Sequence, residues 1–261
     1  MRDGNMAAAR IDSATRAGTG TAAVAPALTV EGLHAGYGKA PIVHGVSLTA
    51  DRGQVVVVLG PNGSGKSTFV KAVYGLADQF EGSVKHFGQE ISRTAPEALA
   101  RRGIGYVPQR DNVFMTLTVQ ENLDVGLAPV RRAEKRARLE QVFELFPLLY
   151  ERRRQPAGTL SGGERQMLAM ARAILPQPSV LLLDEPTAAL AAKVTAHLFE
   201  IVRTIADSGV AVVLVEQNAR QALQICDWAY VLINGQVAFE GKGSDIEGNQ
   251  EVVRQVLGEA H

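Results

Sequence analysis

Three apolar runs, at 54–59, 180–183 and 210–215, predict an α/β fold. Each is continuous rather than alternating, which suits a strand buried on both faces of a parallel sheet covered by helices. Each also sits near a helix-like segment, giving the chain order of βαβ units. Shorter strand-like runs at 28–33 and 42–48, parted by a glycine-rich turn at 36–38, predict an antiparallel β region. Between about 110 and 175 the pattern becomes helical. There Leu139, Val142, Phe143, Phe146 and Leu149 recur at helical spacing within a stretch from 134 to 150, as the core of a helical insert.

Strands at 228–233 and 236–239 and a last helix at about 250–257 close the chain, and no internal repeat is visible. Residues 1–26 are mostly Ala, Gly, Thr and Ser with scattered charge. They lack the continuous apolar stretch of a secretory signal and read as a disordered extension. Residues 27–261 read as one domain that contains the insert. A chain of 261 residues can bury a core without disulfide staples. Its 27 basic residues balance 27 acidic ones, which removes the electrostatic footprint of a general nucleic-acid binder. The lone Cys226 excludes an internal disulfide framework and a cysteine-based zinc cluster. No window approaches the ~18 apolar residues of a membrane-spanning helix.

The first predicted buried strand runs into Gly60, Pro61, Asn62, Gly63, Ser64, Gly65, Lys66 and Ser67, followed by Thr68. This is the pattern G-x-x-x-x-G-K-[ST], placed between a strand and a helix. Its glycines let the backbone wrap closely around phosphate, so that successive N–H groups point at the oxygens. Lys66 is placed to reach the β- and γ-phosphates, Ser67 to hold Mg²⁺, and the helix adds the positive end of its dipole. The second run ends in Asp184 and Glu185. At the strand tip, Asp184 suits Mg²⁺ binding, and Glu185 suits the activation or positioning of an attacking water.

A third element is Leu160, Ser161, Gly162, Gly163 and Glu164. Ser161 and Glu164 form a capping box, but that gives no reason for two glycines in a first helical turn, where they cost stability. Bare backbone N–H groups approaching an anion supply one.

These three motifs, in this order, resemble the nucleotide-binding subunit of ATP-binding-cassette (ABC) proteins, across about residues 28–258. The resemblance implies the ABC ATPase fold: a P-loop NTPase core with a mixed β-sheet, an antiparallel β region and a helical insert. It implies ATP and Mg²⁺ as ligands, Tyr37 as the aromatic stacked on adenine, and Gln109 as the glutamine that senses Mg²⁺ and the γ-phosphate. Gln109 and Leu160 are 51 positions apart, a compact insert typical of import-type subunits. The family clamps each ATP between the phosphate loop of one subunit and the Ser161, Gly162, Gly163 and Glu164 element of another. The implied partners are therefore permease membrane subunits, a second ATPase subunit and, indirectly, a solute-binding protein, at the cytoplasmic face of the cell membrane.

Two departures from the family pattern stand out. Gln217 occupies the position of the catalytic histidine, and none of His34, His44, His86, His197 or His261 replaces it by position. A glutamine can donate a hydrogen bond to the γ-phosphate but cannot carry a proton. The run Glu216, Gln217, Asn218 is similar to that of one subunit type in branched-chain amino acid importers. Urea or amide uptake, lipopolysaccharide export and a non-transport nucleotide sensor are the alternatives. Second, alanines stand near 189 and 192, where the family usually has glycine and this subtype proline; an earlier, Ala-rich helix start is the expected consequence. Both departures favour pairing with a different, histidine-bearing ATPase over a homodimer.

Overall fold

The computed structural model describes residues 25–110 and 112–248. The sequence-predicted final helix at 250–257, and all but the last two residues of the predicted N-terminal extension, lie outside the described residues.

Two antiparallel strands come first, β1 (Leu28–Tyr37) and β2 (Ala40–Ala50), paired from Leu28 opposite Ala50 to Tyr37 opposite Ala40. Both run past the apolar segments that predicted them, because the ladder continues through register shifts between Val30 and Gly36 that break the alternation. After β3 (Val55–Leu59) and α1 (Lys66–Val73) the chain returns through β4 (Asp78–His86) and the short β5 (Gln89–Glu90). The small sheet therefore has the order β2-β1-β4-β5.

Helix α2 (Pro96–Arg101) then leads into β6 (Ile104–Val107). Four helices follow: α3 (Val119–Gly126), α4 (Lys135–Leu145), α5 (Pro147–Glu151) and α6 (Gly162–Ile174). The helix expected across 134–150 is thus two. Pro147 cannot continue a helix without losing a hydrogen bond, and Phe146 before it sits at φ −128°, ψ 69°. The expected core stripe survives the break, with Val142, Phe146 and Leu149 buried and Leu139 and Phe143 packed against them.

The chain closes through β7 (Val180–Asp184), α7 (Ala192–Asp207), β8 (Ala211–Glu216), α8 (Ala219–Ile225), β9 (Trp228–Ile233), β10 (Gln236–Gly241) and α9 (Gly243–Glu247). The large sheet has the order β10-β9-β3-β8-β7-β6, parallel except for the β9–β10 hairpin. Every residue of β3, β7 and β8 is buried, and alternate residues feed two cores. Val55, Val57 and Leu59 face the α3–α8 side, and Val56 and Val58 face α1 and the small sheet. The carboxyl ends of β3, β6, β7 and β8 share one edge, where ligands bind in open parallel sheets.

Candidate nucleotide site

The phosphate loop leaves the end of β3, and its neighbours dictate its shape. A Cβ at Gly60 would collide with the Leu232 carbonyl oxygen of β9, so only glycine fits there. Asn234 and Gly235, at φ 49° and 76°, turn β9 into β10, and the Gly235 N–H donates to the Ser64 carbonyl at 3.0 Å. The hairpin thus braces the loop from behind. Gly65, at φ 96°, is the N-cap of α1, whose first N–H groups have no intrahelical partner and belong to the loop. Pro61, Asn62 and Gly63 are exposed at the tip, whereas Ser64, Lys66 and Thr68 are buried. Among the described residues, Ser64 Oγ has no hydrogen-bond partner. Lys66 Nζ donates to the Gly60 and Pro61 carbonyls at 2.9 and 3.1 Å and lies 3.5 Å from Glu185 Oε1.

Asp184 ends β7 at 1% exposure and accepts from Ser67 Oγ at 2.7 Å and from the Tyr106 hydroxyl at 3.3 Å. Burial, and then the Asp184 carboxylate, raise the Tyr106 hydroxyl above its ordinary range, so it remains a donor. Glu185 follows at φ 46°, its N–H donated to the Val215 carbonyl of β8 at 2.9 Å. Its other carboxylate oxygen accepts from Gln109 Nε2 at 2.8 Å. Lys66, Ser67, Gln109, Asp184 and Glu185 therefore converge, although they come from three separate strand ends.

Gln217 lies beside them. It lines a cavity of ≈ 370 Å³ with Glu185, Thr187, Ala189 and Glu216. Glu216 was not among the sequence-predicted site residues, yet it is 2% exposed, and burial pushes its carboxyl up to about 7. A charged residue at the end of an otherwise apolar run was the available signal for it. Tyr106, too, was missed, because nothing in its local sequence reports the contact with Asp184. Tyr37 ends β1 at 46% exposure, near enough to the Tyr106 hydroxyl to help raise it.

Ser161 caps α6 reciprocally with Glu164: Glu164 N–H donates to Ser161 Oγ at 3.3 Å, and Ser161 N–H to Glu164 Oε2 at 2.7 Å. Arg152 holds the other side of Glu164 at 3.2 Å, which gives part of the arginine run 152–154 a structural partner. Packing alone explains one glycine, since a Cβ on Gly163 would lie 2.5 Å from Val194 Cγ1 of α7; Gly162 has ordinary room. Among the described residues, no hydrogen bond or ion pair joins 161–164 to the phosphate loop. The expected early start of α7 is not found. Ala189 adopts φ 61°, Ala191 is the extended N-cap, and the helix begins at Ala192. Alanine here has kept the left-handed turn that glycine would make without strain.

The donor set fits Mg²⁺. Ser67 and Asp184 offer hard oxygens, and among the described residues no group of three or more His, Cys, Asp or Glu forms a metal cage. Mg²⁺ is typically held this way, by one or two protein oxygens together with phosphate oxygens and water.

The fold and this edge define a nucleotide-binding ATPase cassette. The family described as ABC transporter matches residues 43–188, and the chain belongs to that family, as an ATP-hydrolysing subunit. The chain is 41% identical to the probable branched-chain amino acid transport ATP-binding protein LivF of Archaeoglobus fulgidus, covering 87% of this chain and 96% of that one. Identity to the high-affinity branched-chain amino acid transport ATP-binding protein BraG of Pseudomonas aeruginosa is also 41%, over 85% and 95% of the two chains. The lipopolysaccharide export ATP-binding protein LptB of Haemophilus influenzae is 34% identical over 89% and 97%. Among solved structures, the ADP conformation of MJ1267, an ATP-binding cassette of an ABC transporter, superposes with a TM-score of 0.78 at 26% identity, covering 90% of this chain and 99% of that one.

Proposed function

We propose that this chain powers the uptake of branched-chain or related amino acids, as a peripheral subunit on the cytoplasmic face of a membrane permease. ABC ATP-binding subunits in general partner with membrane permeases, and no helix among the described residues is long and apolar enough to cross a membrane. The observation that carries the hydrolytic reading is the meeting of Lys66, Gln109 and Asp184 around Glu185 and Ser67 at 2.7–3.5 Å. Names of relatives carry the solute: the two at 41% identity are branched-chain amino acid transport proteins, while the lipopolysaccharide export protein is at 34%.

In this reading ATP lies along the phosphate loop with adenine on Tyr37. The loop N–H groups, from Gly60 to Thr68, and the Lys66 ammonium gather the β- and γ-phosphates. Ser67 and Asp184, with Gln109 nearby, would hold Mg²⁺, which neutralises developing charge on the phosphate oxygens. Glu185 orients the attacking water and takes its proton, and Gln217 donates a hydrogen bond toward the γ-phosphate.

Ser161, Gly162, Gly163 and Glu164 close over the nucleotide of a second subunit. That accounts for an α6 N-terminus with no bond to its own phosphate loop. Residues 27–261 act as one cassette with the helical subdomain at about 110–175. The histidine-lacking Gln217 position favours a related, non-identical partner ATPase. A solute-binding protein acts through the permease, not on this chain.

The test is affinity purification of the tagged chain from detergent-solubilised native membranes, followed by reconstitution of what co-elutes. Recovery of two multi-span subunits and a second ATPase, with ATP hydrolysis stimulated by a leucine-loaded binding protein, is expected. A chain that elutes alone overturns the transporter reading. Stimulation by lipopolysaccharide and not by the amino acid overturns the solute.

A further inference from the structure

Glu216 ends β8 with a carboxylate whose two oxygens serve two different loops. Oε1 accepts from the Thr187 N–H at 3.1 Å and from the Thr187 hydroxyl at 2.8 Å. The Gln217 N–H donates to Oε2 at 3.2 Å. A group this buried and this fully engaged is a fixed strut. The turn it holds is under strain. Glu185 and Ala189 bracket it at φ 46° and 61°, a left-handed conformation that side-chain-bearing residues rarely adopt unless their surroundings impose it. The turn is pinned by Glu185 N–H on the Val215 carbonyl and by Thr187 on Glu216. Strand β8 thus clamps the turn at its first residue, Glu185, and at its centre, Thr187.

We infer that Glu216 is a positioning residue for ATP hydrolysis, holding the Glu185 turn and the Gln217 loop in register through one buried carboxylate. The inference rests on the reading of Glu185 as the group that activates water. It goes beyond that reading in assigning work to a residue whose carboxylate bonds the Thr187 turn and the Gln217 N–H.

The chemistry explains why the position is acidic. Three donors converge, two backbone N–H groups and one hydroxyl, and both carboxylate oxygens are used as acceptors. An alanine there would orphan buried donors in both loops and let the left-handed turn relax. A glutamine still offers Oε1 to Thr187 but turns an NH₂ toward the N–H group of Gln217. It therefore keeps the Glu185 turn and releases the Gln217 loop.

The experiment compares Glu216→Ala, Glu216→Gln, Thr187→Val and the double variant T187V/E216A with wild type in the full chain, measuring steady-state hydrolysis and fluorescent-ATP affinity. Glu216→Ala is expected to lower kcat at least tenfold with KM for ATP and nucleotide affinity within twofold. Glu216→Gln should recover at least a third of wild-type kcat. Thr187→Val should lower kcat about threefold, and the double variant should be no worse than Glu216→Ala. The inference is overturned if Glu216→Ala keeps kcat within twofold, if its KM rises as kcat falls, if Gln rescues no more than Ala, or if the double-variant losses multiply. Should Glu216→Ala fail to fold, Thr187→Val decides: kcat reduced at unchanged KM supports the strut, and unchanged kcat removes it. Glu185→Gln runs alongside. Wild-type turnover there sinks the water-activation reading, whereas an inactive Glu185→Gln beside a fully active Glu216→Ala sinks this inference alone.

Discussion

Gln109 donates Nε2 to Glu185 Oε2 at 2.8 Å, joining the segment that leads into the helical insert to the turn after β7. Lys66 approaches the other carboxylate oxygen at 3.5 Å, so the Glu185 carboxylate is held between the two. A movement of the insert that shifts Gln109 must break or carry this bond. With Glu185 as the proposed water-activating group, this contact would couple the insert to hydrolysis without any long pathway.

Removing the carboxylate charge in Glu185→Gln should lower kcat by about 10²–10⁴, the usual worth of a general base, while ATP affinity stays near wild type. The loop and its lysine remain, so MgATP is expected to trap a dimer visible by light scattering. Gln109→Ala should cost less, roughly three- to tenfold in kcat, because Lys66 still holds one oxygen of Glu185. Only monomer in the scattering of Glu185→Gln with MgATP would count against the clamp, and a larger kcat loss in Gln109→Ala than in Glu185→Gln would reverse the assignment.

Ala189 and Ala192 make a second prediction, about stability. A left-handed alanine costs about 1–2 kcal/mol, part of which returns as the greater freedom of glycine in the unfolded chain. Ala189→Gly, relieving φ 61°, should therefore stabilise the chain by roughly 0.5–1 kcal/mol in urea unfolding. Ala192 is the first residue of α7 after an extended N-cap at φ −65°, ψ 146°, a setting suited to proline. Ala192→Pro should add about 0.4–1 kcal/mol. Destabilisation by either substitution would mean that the turn is not built as described.

The contrast between what was legible in the sequence and what was not follows from the range of the forces involved. β3, β7 and β8 were readable because a strand buried on both faces must be apolar throughout, and the phosphate loop because its glycines, Lys66 and Ser67 form a short contiguous pattern between a strand and a helix, although the neighbour that demands Gly60 is the distant Leu232. Tyr106 and Glu216 were not, since each is defined by partners dozens of positions away, Asp184 for one and Thr187 for the other. The break at Phe146 was available from Pro147 but was outweighed by a stripe that keeps helical spacing across it. At Ala189 the run was misread as an earlier helix start, because alanine is a good helix former and the left-handed turn is imposed by its surroundings. The strand β4 was hidden for a different reason: much of it is exposed, so it has no apolar pattern.

Glu216 also predicts a dependence of stability on pH. Burial raises its carboxyl to about 7 in the folded chain, against an ordinary value of 4.5. Between those two pH values the folded state keeps a proton that the unfolded state has lost, so stability falls as pH rises through the window. The proton-linked part is fully present below about pH 4.5 and is lost by about pH 7, a change of roughly 3 kcal/mol. Glu185 lines the same cavity, so the informative quantity is the difference between wild type and Glu216→Gln. Urea unfolding at pH 5 and pH 7.5 should show wild type losing roughly 2–3 kcal/mol more than the variant across that interval. Parallel pH profiles would mean that the carboxyl titrates normally.

The last prediction concerns the loop before α3. Asn122, fully buried, accepts the Phe114 N–H at 2.8 Å through Oδ1 and donates through Nδ2 to the Phe114 and Thr118 carbonyls at 3.0 and 2.9 Å. One side chain thus closes the loop that carries Phe114 and Met115 outward, each about half exposed, while Thr118 and Glu121 cap the helix behind it. Capping alone cannot hold the loop, because it satisfies only the helix end and not the Phe114 backbone. Asn122→Ala leaves the Phe114 N–H without its partner, while the Phe114 and Thr118 carbonyls keep the backbone N–H groups of Leu117 and residue 122, at a cost of roughly 1–3 kcal/mol. The loss should be local. Hydrogen exchange of the Phe114 amide should quicken by at least tenfold, while amides of β3 and β7 exchange as before after correction for the change in global stability. Equal acceleration of all three would show that Asn122 supports the domain as a whole, and unchanged exchange at Phe114 would show that something other than Asn122 closes the loop.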